Sequence, residues 1–390
     1  MSYETNPLEK TLFFSSPLQD YSLPLKIDFF ENLLFSVVDA YADDQSFQDF
    51  RELFSRNHRL AYDSGGFQFL TKKLTDPNPM KTLETYERLD YQSHDLLLQL
   101  DLPPAHHEPP QRRLELIQQS AAFYHQMVQH NQAIIPVVHG WTTKELTASL
   151  EMINDPDVIG LGSYLATNTR GITAVASGAA EEKLQRTKVS TVYRRLGQAM
   201  NLLFRQPTEA DVFVLGAGNM NMLHLAFASG ARFTDGSSWR TSASLFQIYV
   251  PEQATRSVGS QRQTAAPLKT ADLRILRGLH REDDYPFTAI PFRQLLDLFH
   301  MNGQTGFIVR AVHNAYVLQV ETRLANTFAN DPDGYWRYLK KRWADSPFWK
   351  SRMNYLRKTL LLEQVPDDMT TFTQLPLSLP KNEPKEGEQR

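Results

Sequence analysis

The chain has 390 residues, with 41 Lys+Arg against 44 Asp+Glu, 41% hydrophobic residues, 11% aromatic residues and no cysteine. That is enough apolar material for a large core, and it excludes wholesale disorder, disulfides, thiolate metal sites, iron–sulfur clusters and a cysteine nucleophile. No apolar run reaches the roughly 18 residues of a membrane span, and the opening MSYETNPLEK lacks a basic-then-apolar leader, so a soluble cytoplasmic protein without membrane contact is expected.

In chain order, strand-like apolar runs occur at 60–63, 95–101 (DLLLQLD), 133–139 (AIIPVVH), 158–162, 211–216 (DVFVLG) and 231–235 (ARFTD). Helical patterns lie between and beside them, around 79–92, 111–130, 143–153, 188–204 and 219–229. Strands apolar on both faces and separated by helices predict a parallel sheet wrapped by helices. Several runs end in a polar residue or glycine (Asp63, Asp101, His139, Gly162, Gly216, Asp235), as the functional strand ends of a (β/α)8 barrel do. The expected fold is therefore an α/β TIM barrel with N-terminal and C-terminal helical additions. A doubly wound sheet is the runner-up, without a GxGxxG after its first strand. The expected division is a barrel over 1–325, a basic and aromatic helical extension over 326–375, and a disordered Pro/Glu/Lys-rich tail over 376–390.

The net charge of −3 hides an asymmetry, because residues 331–360 hold eight Lys/Arg against three acids. Seven aromatics, from Tyr335 to Tyr355, interleave with those cations. Such a segment can neutralise phosphates and stack bases, or it can be an amphipathic helix pair whose aromatics face the core. Lys340, Lys341 and Arg342 are its nucleic-acid candidates. Lys188, Arg194 and Arg195 form a second cationic cluster, equally readable as a solvated helix face.

Tyr62-Asp63-Ser64-Gly65-Gly66-Phe67-Gln68 is the strongest local motif. A strand-end carboxylate is followed by two glycines that permit close ligand approach, then by a ring for stacking and an amide for an edge hydrogen bond. DSGG is also good turn chemistry, and the segment alone carries both readings equally. The segment from Phe233 to Arg240 (FTDGSSWR) repeats the design around Asp235, and Asp101 is a third acid at the same expected mouth. Paired carboxylates there suit sugar chemistry, one attacking an anomeric carbon while the other moves a proton. His106 and His107, in a Pro-stiffened loop, lack the further ligands a metal requires.

The ordered set DSGGFQ, QLDLPP, VVHG, IGLGSYL, VLGAG and ARFTDGSSW resembles the tRNA-guanine transglycosylase superfamily over about residues 60–325. The resemblance implies a barrel enzyme, a pentosyltransferase that exchanges guanine in a polynucleotide for a free 7-deazaguanine base, without a cofactor. By the same resemblance Asp235 is the nucleophile and Asp63 the proton-handling acid. Asp101 reads the base edge and Phe67 stacks on the base. Ser64, Gly66, Gln68, Gly140 and Gly162 complete the base pocket, and His139 stands where the family usually has glutamine. Arg240 is a further candidate for the polymer, and a homodimer is among the assemblies the resemblance allows.

Two departures bear on the substrate. The family's structural zinc uses three cysteines and a histidine; Val312-His313-Asn314 resembles the histidine end, the cysteines have no counterparts, and no metal is expected. Upstream, HREDDYPF (280–287) offers Glu282, Asp283 and Asp284, hard oxygen ligands that suit a thiolate zinc position poorly. After the nucleophile the chain reads GSSWRTS rather than the Pro-Thr-Arg of bacterial tRNA enzymes, and its length leaves little room for an added RNA-binding domain. These features favour the DNA-guanine transglycosylase branch. A tRNA enzyme, and a non-catalytic nucleic-acid-binding partner subunit, are the alternatives; a glycoside hydrolase would explain the carboxylates but not DSGGFQ.

Overall fold

The computed structural model describes residues 9–15, 30–37, 59–66, 76–89, 91–105, 108–153, 156–162, 189–205, 209–259 and 265–362. It is a mixed α/β fold built on a nearly closed sheet of nine parallel strands surrounded by helices. The strands are β1 (Thr11–Ser15), β2 (Asn32–Ser36), β3 (Arg59–Asp63), β4 (Leu96–Leu98), β5 (Ile134–Ile135), β6 (Val137–Val138), β7 (Val158–Leu161), β8 (Asp211–Val214) and β9 (Phe233–Gly236). Their spatial order is β5-β4-β3-β2-β1-β9-β8-β7-β6, so the two ends of the sheet are consecutive in the chain and separated by Pro136 alone.

Proline has no N–H for a ladder, which explains the interruption. Gln99 bridges it. Its N–H donates to Ile135 O (2.9 Å), its Oε1 accepts from Val137 N (3.0 Å), and its Nε2 donates to Ser120 O (2.9 Å). Pro136 O accepts from Gly160 N at 2.8 Å, continuing the pairing into β7.

Alternation along the strands divides the core in two. Phe13, Leu34, Ala61, Leu96, Leu98, Ile135, Val137, Phe213 and Phe233 pack together on one face. Phe13, Phe213 and Phe233 form a ring triad there, with centroids 5.5–6.2 Å apart. The residues between them, such as Leu12, Phe14, Leu33, Tyr62, Leu97 and Val212, meet the surrounding helices. Those helices are α1 (Pro79–Arg88), α2 (Pro110–His130), α3 (Thr143–Glu151), α4 (Val189–Arg205) and α5 (Met222–Ala228), each following a strand in sequence. Asn78 shows how one starts, its side chain capping Met80 N and Lys81 N ahead of Pro79 in the first turn.

After β9 come α6 (Ser238–Ser244), a three-stranded sheet of β10 (Gln247–Tyr249), β11 (Thr255–Ser257) and β12 (Ala266–Pro267), then α7 (Thr270–Leu279), α8 (Phe292–His300) and α9 (Gly303–Asn326). Two last helices, α10 (Pro332–Arg342) and α11 (Pro347–Leu360), pack on α5 and α4. Tyr335, Trp336, Leu339, Trp343, Met353 and Leu356 join the main core cluster, so 332–360 shares its interior with the sheet's helices. Tyr338 and Trp349 pack partly buried against the same core, Tyr355 is half-buried outside it, and Phe348 is 49% exposed. The 376–390 tail lies outside the described residues. Among the described residues, no helix is long and apolar enough to cross a membrane.

Candidate active site

Because every strand of the large sheet is parallel, all their C-terminal ends lie at one end of it. Ser15, Ser36, Asp63, Asp101, His139, Gly162, Gly216 and Asp235 sit at or just beyond those ends. The structure therefore brings together the acids Asp63, Asp101 and Asp235 and the imidazole of His139.

Asp235 is buried on β9. Ser15, at the end of the paired strand β1, donates its hydroxyl to Asp235 Oδ2 at 2.6 Å, and the Gly216 N–H donates to Oδ1 at 2.7 Å. Gly216 has φ +79°, a left-handed conformation that turns its N–H toward the carboxylate. Two residues on, Gly218 N donates to Asp235 O at 2.7 Å, and a Cβ on Gly218 would fall 2.6 Å from Gly236 N. The VLGAG turn and the FTDG strand end thus pack backbone on backbone. Burial raises the Asp235 carboxyl above its ordinary value, and the two hydrogen bonds offset part of that cost.

Asp63 ends β3. Burial first, then the charges of Asp101 and Asp235, raise its carboxyl to about 7, against opposing hydrogen bonds from the Gly65 N–H and the Ser36 hydroxyl. Gly65 takes φ +83°, which folds its N–H back to Asp63. An acid titrating near neutrality beside a second carboxylate that keeps its own donors is the arrangement for moving a proton.

Asp101 and His139 form a pair, with Nε2 to Oδ2 at 2.7 Å; Ser64 Oγ reaches Asp101 Oδ1 at 3.4 Å. Glycines hold this pair. A Cβ on Gly66 would lie 2.7 Å from Asp101 Cγ, and one on Gly162 would lie 2.9 Å from His139 Nδ1. Gly140 has a packing role: a side chain there would meet Leu146 N at 2.5 Å, where the first turn of α3 crosses the strand end.

Of the other expected contacts, Phe67, Gln68, His106, His107 and Lys188 lie outside the described residues, as does the side chain of Arg194. Two cations are corrected. Arg195 is 1% exposed and stacks 3.9 Å over the Trp141 ring just ahead of α3, so it belongs to the interior packing of α4 rather than to a phosphate-facing surface. Arg342 is buried through its guanidinium, which grips Glu321 at 2.6 and 2.8 Å, and so offers no charge to a polymer. Lys340 and Lys341 are exposed on α10, and Arg240 is half-buried on α6.

His313 is buried on α9, with Nδ1 2.9 Å from Tyr285 Oη and Nε2 2.8 Å from Tyr249 O. Burial lowers its pKa to about 4, so the neutral ring accepts from the tyrosine and donates to the carbonyl. Glu282 and Asp284 accept from Tyr316 Oη instead of facing His313. Among the described residues, no group of three or more His, Asp and Glu side chains has the arrangement of a metal site.

Ser15, Ser36 and Gly218 touch the acids or their backbone and were not singled out by their residue type. The signal available for the serines was a shared ending, LFFS and LLFS, on the first two strands. No family model matches this chain, and no curated protein matches it.

Proposed function

We propose that the chain is a guanine transglycosylase of the tRNA-guanine transglycosylase superfamily, on a (β/α)8 barrel in which β5 and β6 count as one strand interrupted by Pro136. The observation that carries this reading is the division of labour among three acids at one mouth. Asp235 keeps two hydrogen-bond donors, Asp63 titrates near 7, and Asp101 is paired with His139.

A carboxylate oxygen of Asp235 attacks C1′ of the nucleotide. The C1′–N9 bond breaks, its electron pair goes to guanine, and Asp63 donates the proton that lets the base depart neutral. The sugar is then esterified to Asp235. A 7-deazaguanine enters the same slot, and the Asp63 carboxylate takes its N9 proton as N9 attacks C1′. The ester bond breaks and both acids return to their starting states. Asp101 and His139 present an acceptor and a ring nitrogen to the base edge. The target nucleotide must leave its stack, since the anomeric carbon is otherwise covered.

DNA is the polymer we favour, on the GSSWRTS segment after the nucleophile and the missing cysteine ligands; tRNA is the alternative. Incubation with labelled guanine and either polymer tests this. Label in DNA, lost in Asp235→Asn, is expected. Label in tRNA alone overturns the polymer choice, and label in neither overturns the enzyme reading in favour of a non-catalytic partner subunit.

A further inference from the structure

Helices α7 and α8 enclose a groove of about 530 Å³ lined by Leu273, Arg277, His280, Arg281, Phe292, Arg293 and Leu296. His280 is pinned, its Nε2 2.7 Å from Ile290 O and its ring 5.5 Å from that of Phe292. The floor is thus apolar and aromatic, and the rim carries three guanidiniums with no acid among the lining residues. Arg277 sits 5.2 Å over the Phe292 ring.

By contrast, Arg113, Arg232, Arg256 and Arg342 each meet a carboxylate. Arg277, Arg281 and Arg293 make no hydrogen bond or ion pair among the described residues. The neighbouring acids do not supply one. Glu282 and Asp284 are turned to Tyr316, Asp283 and Asp297 are exposed, and Asp297 forms no ion pair with Arg293. Arg274, three residues before Arg277, extends the same helical face.

Helix α8, which lines the groove, is tied to the helix that follows Asp235. Buried Arg310 donates to Ala243 O in α6, and to Phe299 O and Met301 O at the end of α8, all at 2.9 Å. Helix α6 begins three residues after Asp235. One guanidinium therefore fixes α8 against the helix that leaves the site.

We infer that this groove binds the sugar-phosphate backbone of the nucleic acid flanking the reacting nucleotide, with guanidiniums on phosphates and Phe292 offering a face to a base or sugar. Planar, multidentate guanidinium donors suit phosphate oxygens, and cations interleaved with an aromatic ring suit a polynucleotide better than an acidic peptide. The inference deepens the proposed function by placing its polymer contact.

The test is fluorescence anisotropy with labelled DNA and with tRNA over a salt series, comparing the full chain with R277Q/R281Q/R293Q and with polyglutamate as competitor. Three lost phosphate contacts make the log–log salt slope less steep by about 2 to 3, and weaken binding roughly ten- to a hundred-fold at 0.1 M salt, for whichever polymer is bound. A wild-type slope in the triple variant, no binding of either polymer by the unaltered protein, or polyglutamate competing as well as nucleic acid overturns the inference. Base exchange with an unchanged slope removes the groove alone. A changed slope without exchange keeps the groove and removes the enzyme reading.

Discussion

Ser15 Oγ donates to Asp235 Oδ2 at 2.6 Å across the β1–β9 pairing, so β1 holds an acid 220 residues away. The bond favours the ionised form of a buried carboxylate that, as the proposed nucleophile, attacks in that form. Ser15→Ala removes one of its two donors. A hydrogen bond to a charged group contributes about 1.5–3 kcal/mol, so the acid limb of the pH–rate profile is expected to move up by about one to two units. An unmoved limb in the alanine variant would mean that Ser15 does not tune the nucleophile.

Asp63 holds its proton to about pH 7, first through burial and then through Asp101 and Asp235. As the acid of the exchange it gives kcat an alkaline limb near 7, and Asp63→Asn is expected to lose about 10²–10⁴ in rate. Stability follows the same proton. A pKa raised from 3.8 makes a contribution that is full below about pH 4 and lost as the pH rises through 7. Asp63→Asn should therefore melt above the parent at pH 8, by up to a few kcal/mol, with the gap closing toward pH 4. A gap that widened in acid would contradict the assignment.

Gly66 touches the Asp101 carboxylate so closely that a methyl group there would overlap it. Gly66→Ala must displace Asp101 and break its contact with His139. Misplacing a positioning group by about 1 Å costs roughly a hundred-fold in kcat/KM. Circular dichroism should show an intact fold, while calorimetry should show weakened binding of the free base. Parental kinetics in this variant would remove Asp101 from the base-reading role.

Glu321, on α9, accepts from Arg342 on α10 and meets His224 Nε2 on α5 at 2.9 Å. Burial alone would raise its carboxyl, yet these partners hold it well below the ordinary value. Breaking such a pair leaves a charge buried, so Arg342→Met is expected to cost about 3–5 kcal/mol in urea unfolding. The lowered pKa gives stability that is present above about pH 4.5 and lost as acid is added. Glu321→Gln should thus differ most from the parent at neutral pH, and an equal difference at pH 3 would refute the pairing.

The strands that carry the acids were legible because their apolar runs end abruptly in Asp, His or Gly. Thr11–Ser15 and Asn32–Ser36 were not, since five-residue apolar runs are compatible with strand or helix and their serines belong to no motif. The acids, His139 and the glycines were read from residue type, while the donors Ser15 and Ser36 emerge only once the sheet nearly closes. Arg342 misled because charge counting ignores helical phase. Tyr335, Leu339 and Arg342 recur at i, i+4 and i+7, the spacing of one face, and the first two are core residues. Arg277, Arg281 and Arg293 went unnoticed because they are dispersed over α7, the turn after it and α8, which only the fold sets side by side.

Three acids at one mouth also sort ligands by charge. Asp63 adds its own charge to that end of the sheet as the pH rises through about 7, so repulsion of a phosphate grows over the range in which the proposed exchange slows, whereas an uncharged purine is not repelled. A free base can slip in where a mononucleotide is turned away, and a long polyanion must take its grip elsewhere. On the proposed function, that repulsion disfavours a soluble nucleotide relative to one anchored by the rest of its polymer.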